Sequence, residues 1–248
     1  MCRHLAYLGP PVTLRELLFD PPYSLVRQSW APRDMRGGGT INADGFGVGW
    51  YPGDGEPVRY RRSQPIWSDP TIAQLAEVTS AGAVLAAVRS ATVGMAVLDG
   101  AAAPFAEGRW LFSHNGVVRG WPDSMVALAA TLPVRDLLTL DAATDSALLW
   151  ALVRHRLRAG VKPARAIAET VTAVAGAAPG SRLNLLLTDG RTVVASAVGH
   201  ALSIRATPAS VLLASEPHDD DPGWQAVPDG RLVEATATGV RVRALAEV

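Results

Sequence analysis

Cysteine is nearly absent from this chain: 248 residues contain one thiol, at Cys2. A lone cysteine excludes an internal disulfide framework and any zinc or iron–sulfur site built from several thiolates. It points to a reducing compartment, or to a thiol kept for its reactivity. Excess charge is absent as well, with 23 basic against 23 acidic side chains. That balance argues against a nucleic-acid or membrane-surface protein, which carries a basic excess or patch. No apolar run reaches the roughly 18 residues of a membrane-spanning helix. Met1 to Leu8 holds no signal-peptide core before Gly9-Pro10-Pro11 intervenes, so the expected location is the cytoplasm. Lysine occurs once, at Lys162, amid abundant alanine; this reads as the codon bias of a GC-rich genome. His4, His114, His155, His200 and His218 show no metal-ligand spacing, and no metal or organic cofactor is expected.

What is present is enough apolar sequence, 48% of residues, to bury a substantial core. No linker and no internal repeat divide the chain, so residues 1–248 are expected to form one domain. Leu5–Leu8 reads as a short first strand, and Thr13 as the cap of a small helix through Phe19. Residues 21–41 read as irregular, and a loop of that length is often functional. Gly45–Tyr51 reads as a strand whose glycines leave one face bare for another backbone or a ligand. Val58–Arg62 can pair with it. Asp69-Pro70 opens a helix to about Thr79, and Ala83–Val88 is a short apolar run suited to a strand buried on both faces. Helical periodicity follows in 123–132, 144–158 and 163–177. After Gly180 the pattern changes to short strands punctuated by Asp189-Gly190 and Asp229-Gly230. Strands at both ends with clustered helices between predict an α+β domain on antiparallel sheets.

The position of the cysteine carries chemistry. Removal of Met1 would leave Cys2 with a free α-amine of pKa about 8, able to take the thiol proton, so that one residue supplies nucleophile and base. Otherwise Cys2 is simply a small apolar residue at the start of a strand. A thiolate attacking an amide needs an oxyanion hole. Asn115-Gly116 offers a side-chain amide and a backbone N–H, although the local sequence favours a type I′ hairpin turn there. Arg89, ending a buried strand, either binds a carboxylate bidentately or is solvated. Asp145 is a candidate partner for an ammonium group, unless Thr144 or Asp145 only caps the helix that follows. His114 beside Asn115 is a weak candidate for a Cys/His dyad and reads better as a neutral core or surface histidine.

Taken together and in order, several segments resemble the class II glutamine amidotransferases. They are Cys2-Arg3-His4-Leu5, Asn42 to Trp50, Val88-Arg89-Ser90-Ala91-Thr92-Val93-Gly94, Ser113-His114-Asn115-Gly116-Val117, Thr144-Asp145-Ser146 and Ala214-Ser215-Glu216-Pro217. The resemblance spans essentially the whole chain and is closest to the stand-alone γ-glutamyl hydrolases of ergothioneine biosynthesis. It implies an N-terminal-nucleophile hydrolase with a four-layer αββα sandwich. It implies Cys2 as nucleophile, Asn115 and Gly116 as oxyanion hole, Arg89 on the substrate α-carboxylate, Asp145 on the α-ammonium and Thr92 lining the same pocket. Ammonia-producing members commonly read Arg-Trp-Ala-Thr-His-Gly, whereas Ser90 and Val93 stand here in place of the tryptophan and histidine. The family's histidine role has no carrier at that position, and the change points to a substrate larger than glutamine.

Arg89 and Asp145 also complement the two charges on the α-carbon of a free amino acid, leaving the γ-amide as electrophile. No acceptor domain follows Val248, so simple hydrolysis is expected, with the γ-glutamyl-cysteine S-oxide conjugate of hercynine as the implied substrate. The partner is then a small molecule, with no nucleic acid and no membrane, and the chain is a monomer or homodimer. A glutaminase subunit feeding ammonia to a partner, a hydrolase of another γ-glutamyl amide, and a non-catalytic binding domain remain the competing readings. The glycines and arginines of 29–39 are expected to form a loop that closes over substrate.

Overall fold

In chain order the strands are β1 (Arg3–Thr13), β2 (Phe46–Trp50), β3 (Val58–Arg62), β4 (Ser80–Val88), β5 (Phe105–Glu107), β6 (Trp110–Val117), β7 (Arg182–Thr188), β8 (Val193–Ala197), β9 (Ser203–Ala206), β10 (Val211–Ala214), β11 (Trp224–Ala226), β12 (Arg231–Thr236) and β13 (Gly239–Ala244). The helices are α1 (Leu14–Leu18), α2 (Leu25–Gln28), α3 (Pro70–Val78), α4 (Val126–Ala129), α5 (Val134–Leu138), α6 (Asp145–Arg158) and α7 (Pro163–Ala177). This computed structural model describes residues 2–34, 36 and 41–248. Met1, and with it the expected N-terminal processing, lies outside them. Met35 and residues 37–39 of the expected closing loop lie outside them too, as does Thr40.

Among the described residues the strands form two antiparallel sheets, ordered β11-β9-β10-β1-β4-β2-β3 and β13-β12-β8-β7-β6-β5. Strand alternation, with successive side chains on opposite faces, sets the layers. On the first sheet Leu5, Tyr7, Val84, Ala86 and Val88 pack with Leu14, Leu18, Leu25 and Ile72 of α1, α2 and α3. On the second, Phe112, Leu183, Leu185 and Leu187 pack with Leu149, Val153, Ile167 and Val171 of α6 and α7. The opposite faces meet each other through Ala6, Leu8, Leu85, Leu111, Leu186 and Ala195. Three apolar interfaces separate four layers, so the chain is an αββα sandwich. The glycines of β2 open one face as expected, and the other sheet fills the space. A Cβ on Gly47 would lie 2.3 Å from the Ala103 carbonyl oxygen, and one on Gly49 would lie 2.7 Å from Leu111 Cδ1. Among the described residues no helix is long and apolar enough to cross a membrane.

Local chemistry explains most boundaries. Thr13 and Glu16 form a capping box at α1. Asp69 accepts the Thr71 and Ile72 backbone N–H groups ahead of Pro70 at α3, and Thr144 accepts Ala147 N–H at α6. Two expectations change. The first strand does not stop at Leu8: β1 runs on to Thr13 through a register shift between Leu8 and Val12 that absorbs Gly9-Pro10-Pro11. The segment read as irregular contains α2, capped by Ser24.

Candidate active site

The even residues of β1 face the second sheet, as Ala6 and Leu8 show, and Cys2 precedes this strand in the same phase. The odd residues of β6 face the first sheet: Leu111 lies in the inter-sheet core, and Ser113 Oγ meets His4 Nδ1 at 3.1 Å. One step further, Asn115 therefore stands opposite the end of β1 that carries Cys2. The odd phase of β4, set by Ala83 and Leu85, continues past Val88 to Arg89. Three segments, the start of β1, the end of β4 and the end of β6, thus deliver Cys2, Arg89, Asn115 and Gly116 to one end of the inter-sheet layer.

Asn115-Gly116 is not a turn. Both residues lie within β6, paired with Asn184 and Leu183 of β7. The hairpin signal loses to a ladder partner across the sheet, whose pairings continue through Val117 to Arg182. The glycine is required by close approach, because a Cβ there would fall 1.8 Å from the Arg182 carbonyl oxygen. Asn115 is fully buried, and its Nδ2 donates to Ser215 Oγ at 3.0 Å. The second N–H of that amide has no acceptor among the described residues. Ser215 Oγ also accepts the His4 backbone N–H at 3.0 Å, and Ser215 N–H donates to the His4 carbonyl at 3.0 Å. Ser215 therefore joins the strand behind the candidate nucleophile to the candidate oxyanion amide.

Cys2 Sγ is half-buried and donates to the Ser90 carbonyl at 3.7 Å. Its own carbonyl accepts Arg3 Nη1 at 3.0 Å. Arg3 is buried, donates through Nη2 to the Asp34 carbonyl, and is pulled below its usual pKa by burial, an effect that Glu216 opposes. Glu216, also buried, accepts the Asp34 N–H at 2.7 Å and the Arg33 N–H at 3.0 Å. Arg3, Ser215 and Glu216 belong to segments that carried the resemblance. Their roles were not legible, because nothing local shows that the two ends of the chain meet.

Arg89 is buried rather than solvated, with 9% of its surface exposed. Its Nη1 donates to the carbonyls of Ala96 at 3.0 Å and Asp44 at 3.4 Å. Asp44 locks the same corner, accepting Ala91 N–H at 2.8 Å. Asp145 is buried as well. Thr144 caps α6, and the Asp145 carboxylate reaches back to take the Val118 N–H at 3.0 Å and the Ser146 N–H at 2.7 Å, which ties α6 to the end of β6. Among the described residues Arg89 has no carboxylate partner and Asp145 no cationic one. Thr92 is exposed, in a turn closed by Met95 N–H on its carbonyl at 2.9 Å; no side-chain contact brings it to the others.

His114 serves the scaffold. Its Nε2 donates to the Arg182 carbonyl at 2.9 Å, and Nδ1 meets Ser146 Oγ at 2.9 Å, so both nitrogens are engaged away from Cys2. Burial drives His4 well below the usual histidine pKa. Among the described residues no group of three or more His, Cys, Asp and Glu side chains is placed to hold a metal ion. A surface cleft of about 740 Å³ lies between the start of α7 and strands β12–β13, and none of the candidate site residues lines it.

The family model for class II glutamine amidotransferases matches residues 17–210. The chain belongs to the class II glutamine amidotransferases. The chain is 41% identical to a γ-glutamyl-hercynylcysteine sulfoxide hydrolase of Mycolicibacterium smegmatis, over 99% of this chain and 100% of the relative. It is 42% identical to a protein of the same name from Mycobacterium tuberculosis, over 99% and 97%. Among solved structures it is similar to a glutamine aminotransferase class-II domain protein from Silicibacter pomeroyi, with TM-score 0.68 and 26% identity over 98% and 99% of the two chains. The B. subtilis glutamine phosphoribosylpyrophosphate amidotransferase shares the fold at TM-score 0.68 and 13% identity, with 98% of this chain matching 49% of that one.

Proposed function

We propose that this protein hydrolyses the γ-glutamyl amide bond of γ-glutamyl-hercynylcysteine sulfoxide, releasing glutamate and hercynylcysteine sulfoxide in the cytoplasm. The observation that carries the reading is a pair of buried charges with no ionic partner among the described residues: Arg89, adjacent to the Ser90 whose carbonyl Cys2 Sγ meets, and Asp145, which takes the Val118 N–H two residues after Gly116. A buried ion without a partner is costly, and the α-carboxylate and α-ammonium of a glutamyl group answer both. The hydrolases from the two mycobacteria, similar over nearly the full chain, support the choice of leaving group. Residues 1–248 act as one catalytic domain in this reading.

With Met1 removed, the Cys2 α-amine takes the thiol proton and the thiolate attacks the γ-carbonyl carbon. The Asn115 amide and the Gly116 N–H receive the charge that develops on oxygen. Collapse breaks the C–N bond, and the α-ammonium returns its proton to the departing amine. Water, deprotonated by the same amine, then attacks the γ-glutamyl thioester, and glutamate leaves as the thiol is restored. Thr92 lines the outer edge of the glutamyl pocket.

Two measurements test this. Cys2→Ala is expected to abolish release of glutamate from the conjugate, and intact-mass analysis of the wild-type protein should show Cys2 at the N-terminus and a γ-glutamyl adduct during turnover. Retained activity in Cys2→Ala would overturn the mechanism. Turnover of free glutamine surpassing that of γ-glutamyl conjugates would overturn the substrate.

A further inference from the structure

The mouth at the Cys2 end of the inter-sheet layer contains cationic side chains that a glutamyl group does not require. The even residues of β7 face the inter-sheet layer: Leu186 lies in its core, and Asn184 stands opposite Asn115. Arg182 follows in the same phase, paired with Val117 next to Gly116, and so points to the end of the layer where Cys2 lies. Its stem packs beside Gly199, where a Cβ would come within 3.0 Å of Arg182 Cγ. Its Nε is buried without an acceptor, and among the described residues no carboxylate or carbonyl takes any of its guanidinium hydrogens. Arg119 lies close by, with its backbone N–H on Ser181 Oγ at 3.0 Å, and it too has no acidic partner among the described residues. The two cations reinforce the deficit: burial lowers the Arg182 pKa, Arg119 lowers it further, and only the Cys2 sulfur acts the other way.

A buried guanidinium donor without an acceptor is an exception that a ligand can explain. The glutamyl α-carboxylate is already answered by Arg89. On the far side of the scissile bond, an amide made from an α-amino acid carries a carboxylate two bonds from the leaving nitrogen, a span that reaches the wall of the same mouth. We propose that Arg182, with Arg119 beside it, binds that leaving-side carboxylate and makes the enzyme selective for γ-glutamyl amides of α-amino acids over glutamine and over γ-glutamyl alkylamides. The assignment rests on the γ-glutamyl hydrolase reading above. Planar guanidinium and carboxylate meet bidentately, whereas the ammonia side of glutamine leaves Arg182 unpaired.

The test uses two compounds that differ only in the carboxylate: γ-glutamyl-S-methylcysteine sulfoxide and its decarboxylated counterpart, γ-glutamyl-2-(methylsulfinyl)ethylamide. The wild-type kcat/KM ratio between them is expected to be about 10 to 100 in favour of the acid, as for one charge-assisted bidentate contact. Arg182→Gln should bring the ratio close to one, and Arg182→Lys should restore part of it. The ratio is insensitive to any loss of folded protein, since both compounds meet the same sample. A wild-type ratio near one, or an unchanged ratio in Arg182→Gln, overturns the assignment. Absence of a Cys2 adduct with either compound overturns the hydrolase reading, and this proposal falls with it.

Discussion

At the scale of single residues, the site is a set of charges and donors that the protein does not satisfy by itself. Arg89 and Asp145 are buried, and each is anchored by backbone groups that leave its charge uncancelled. Asn115 spends one amide hydrogen on Ser215, and in the proposed mechanism the other goes to the substrate oxygen. Replacing it should therefore act on the chemical step. Asn115→Ala is expected to lower kcat by about 10²–10³ with a smaller change in KM, as for other oxyanion donors, measured at saturating γ-glutamyl substrate. The residue types were legible in the sequence, and the resemblance named each role. Their settings were not. An Asn-Gly dipeptide is a turn signal over four residues, and only the β7 ladder, nearly seventy residues downstream, turns it into a strand. Arg89 likewise looks like any arginine that ends a strand until β2 and the segment after β4 enclose it.

Elements were legible where the backbone signals its own boundary. Asp69-Pro70 and Thr144 mark helix starts by capping chemistry, and α7 begins at Pro163 where the proline indicates. The elements that escaped reading are short. Strands β5 and β11 have three residues each and α2 has four, too few for any period to register. Pairing of β6 with β7 carries the strictest packing demand near the site, at Gly116. Because the obstacle to a side chain there is a backbone carbonyl, rotamer changes cannot relieve it. Gly116→Ala is expected to cost about 3 kcal/mol and to lower Tm by roughly 10 °C in a calorimetric scan. An unchanged Tm would show that β6 and β7 can separate locally without loss.

Across the whole molecule, burial of neutral histidines couples stability to pH. His200 and His218 are pushed down to about 4, in both cases chiefly by desolvation. An unfolded chain binds their protons near pH 6.5, so between that pH and about 4 the unfolded state holds more protons than the folded one. Stability should be fully present above pH 6.5 and fall as the pH drops towards 4, by about 3 kcal/mol for the deeply buried His218 alone. Urea midpoints at pH 7 and pH 4.5 measure this, and equal midpoints would count against it. The two-sheet architecture followed from strands at both ends of the sequence, but the order of strands in each sheet did not, since it is set by pairings such as β1 with β10. That pairing has a consequence for biosynthesis. Ser215 couples to His4 across 211 positions and holds the Asn115 amide. A ribosome therefore exposes the thiol at the outset and supplies the anchor of the Asn115 amide only some 211 residues later. In the proposed mechanism, the growing chain carries a nucleophile that stays unarmed until β10 and Ser215 fold onto β1.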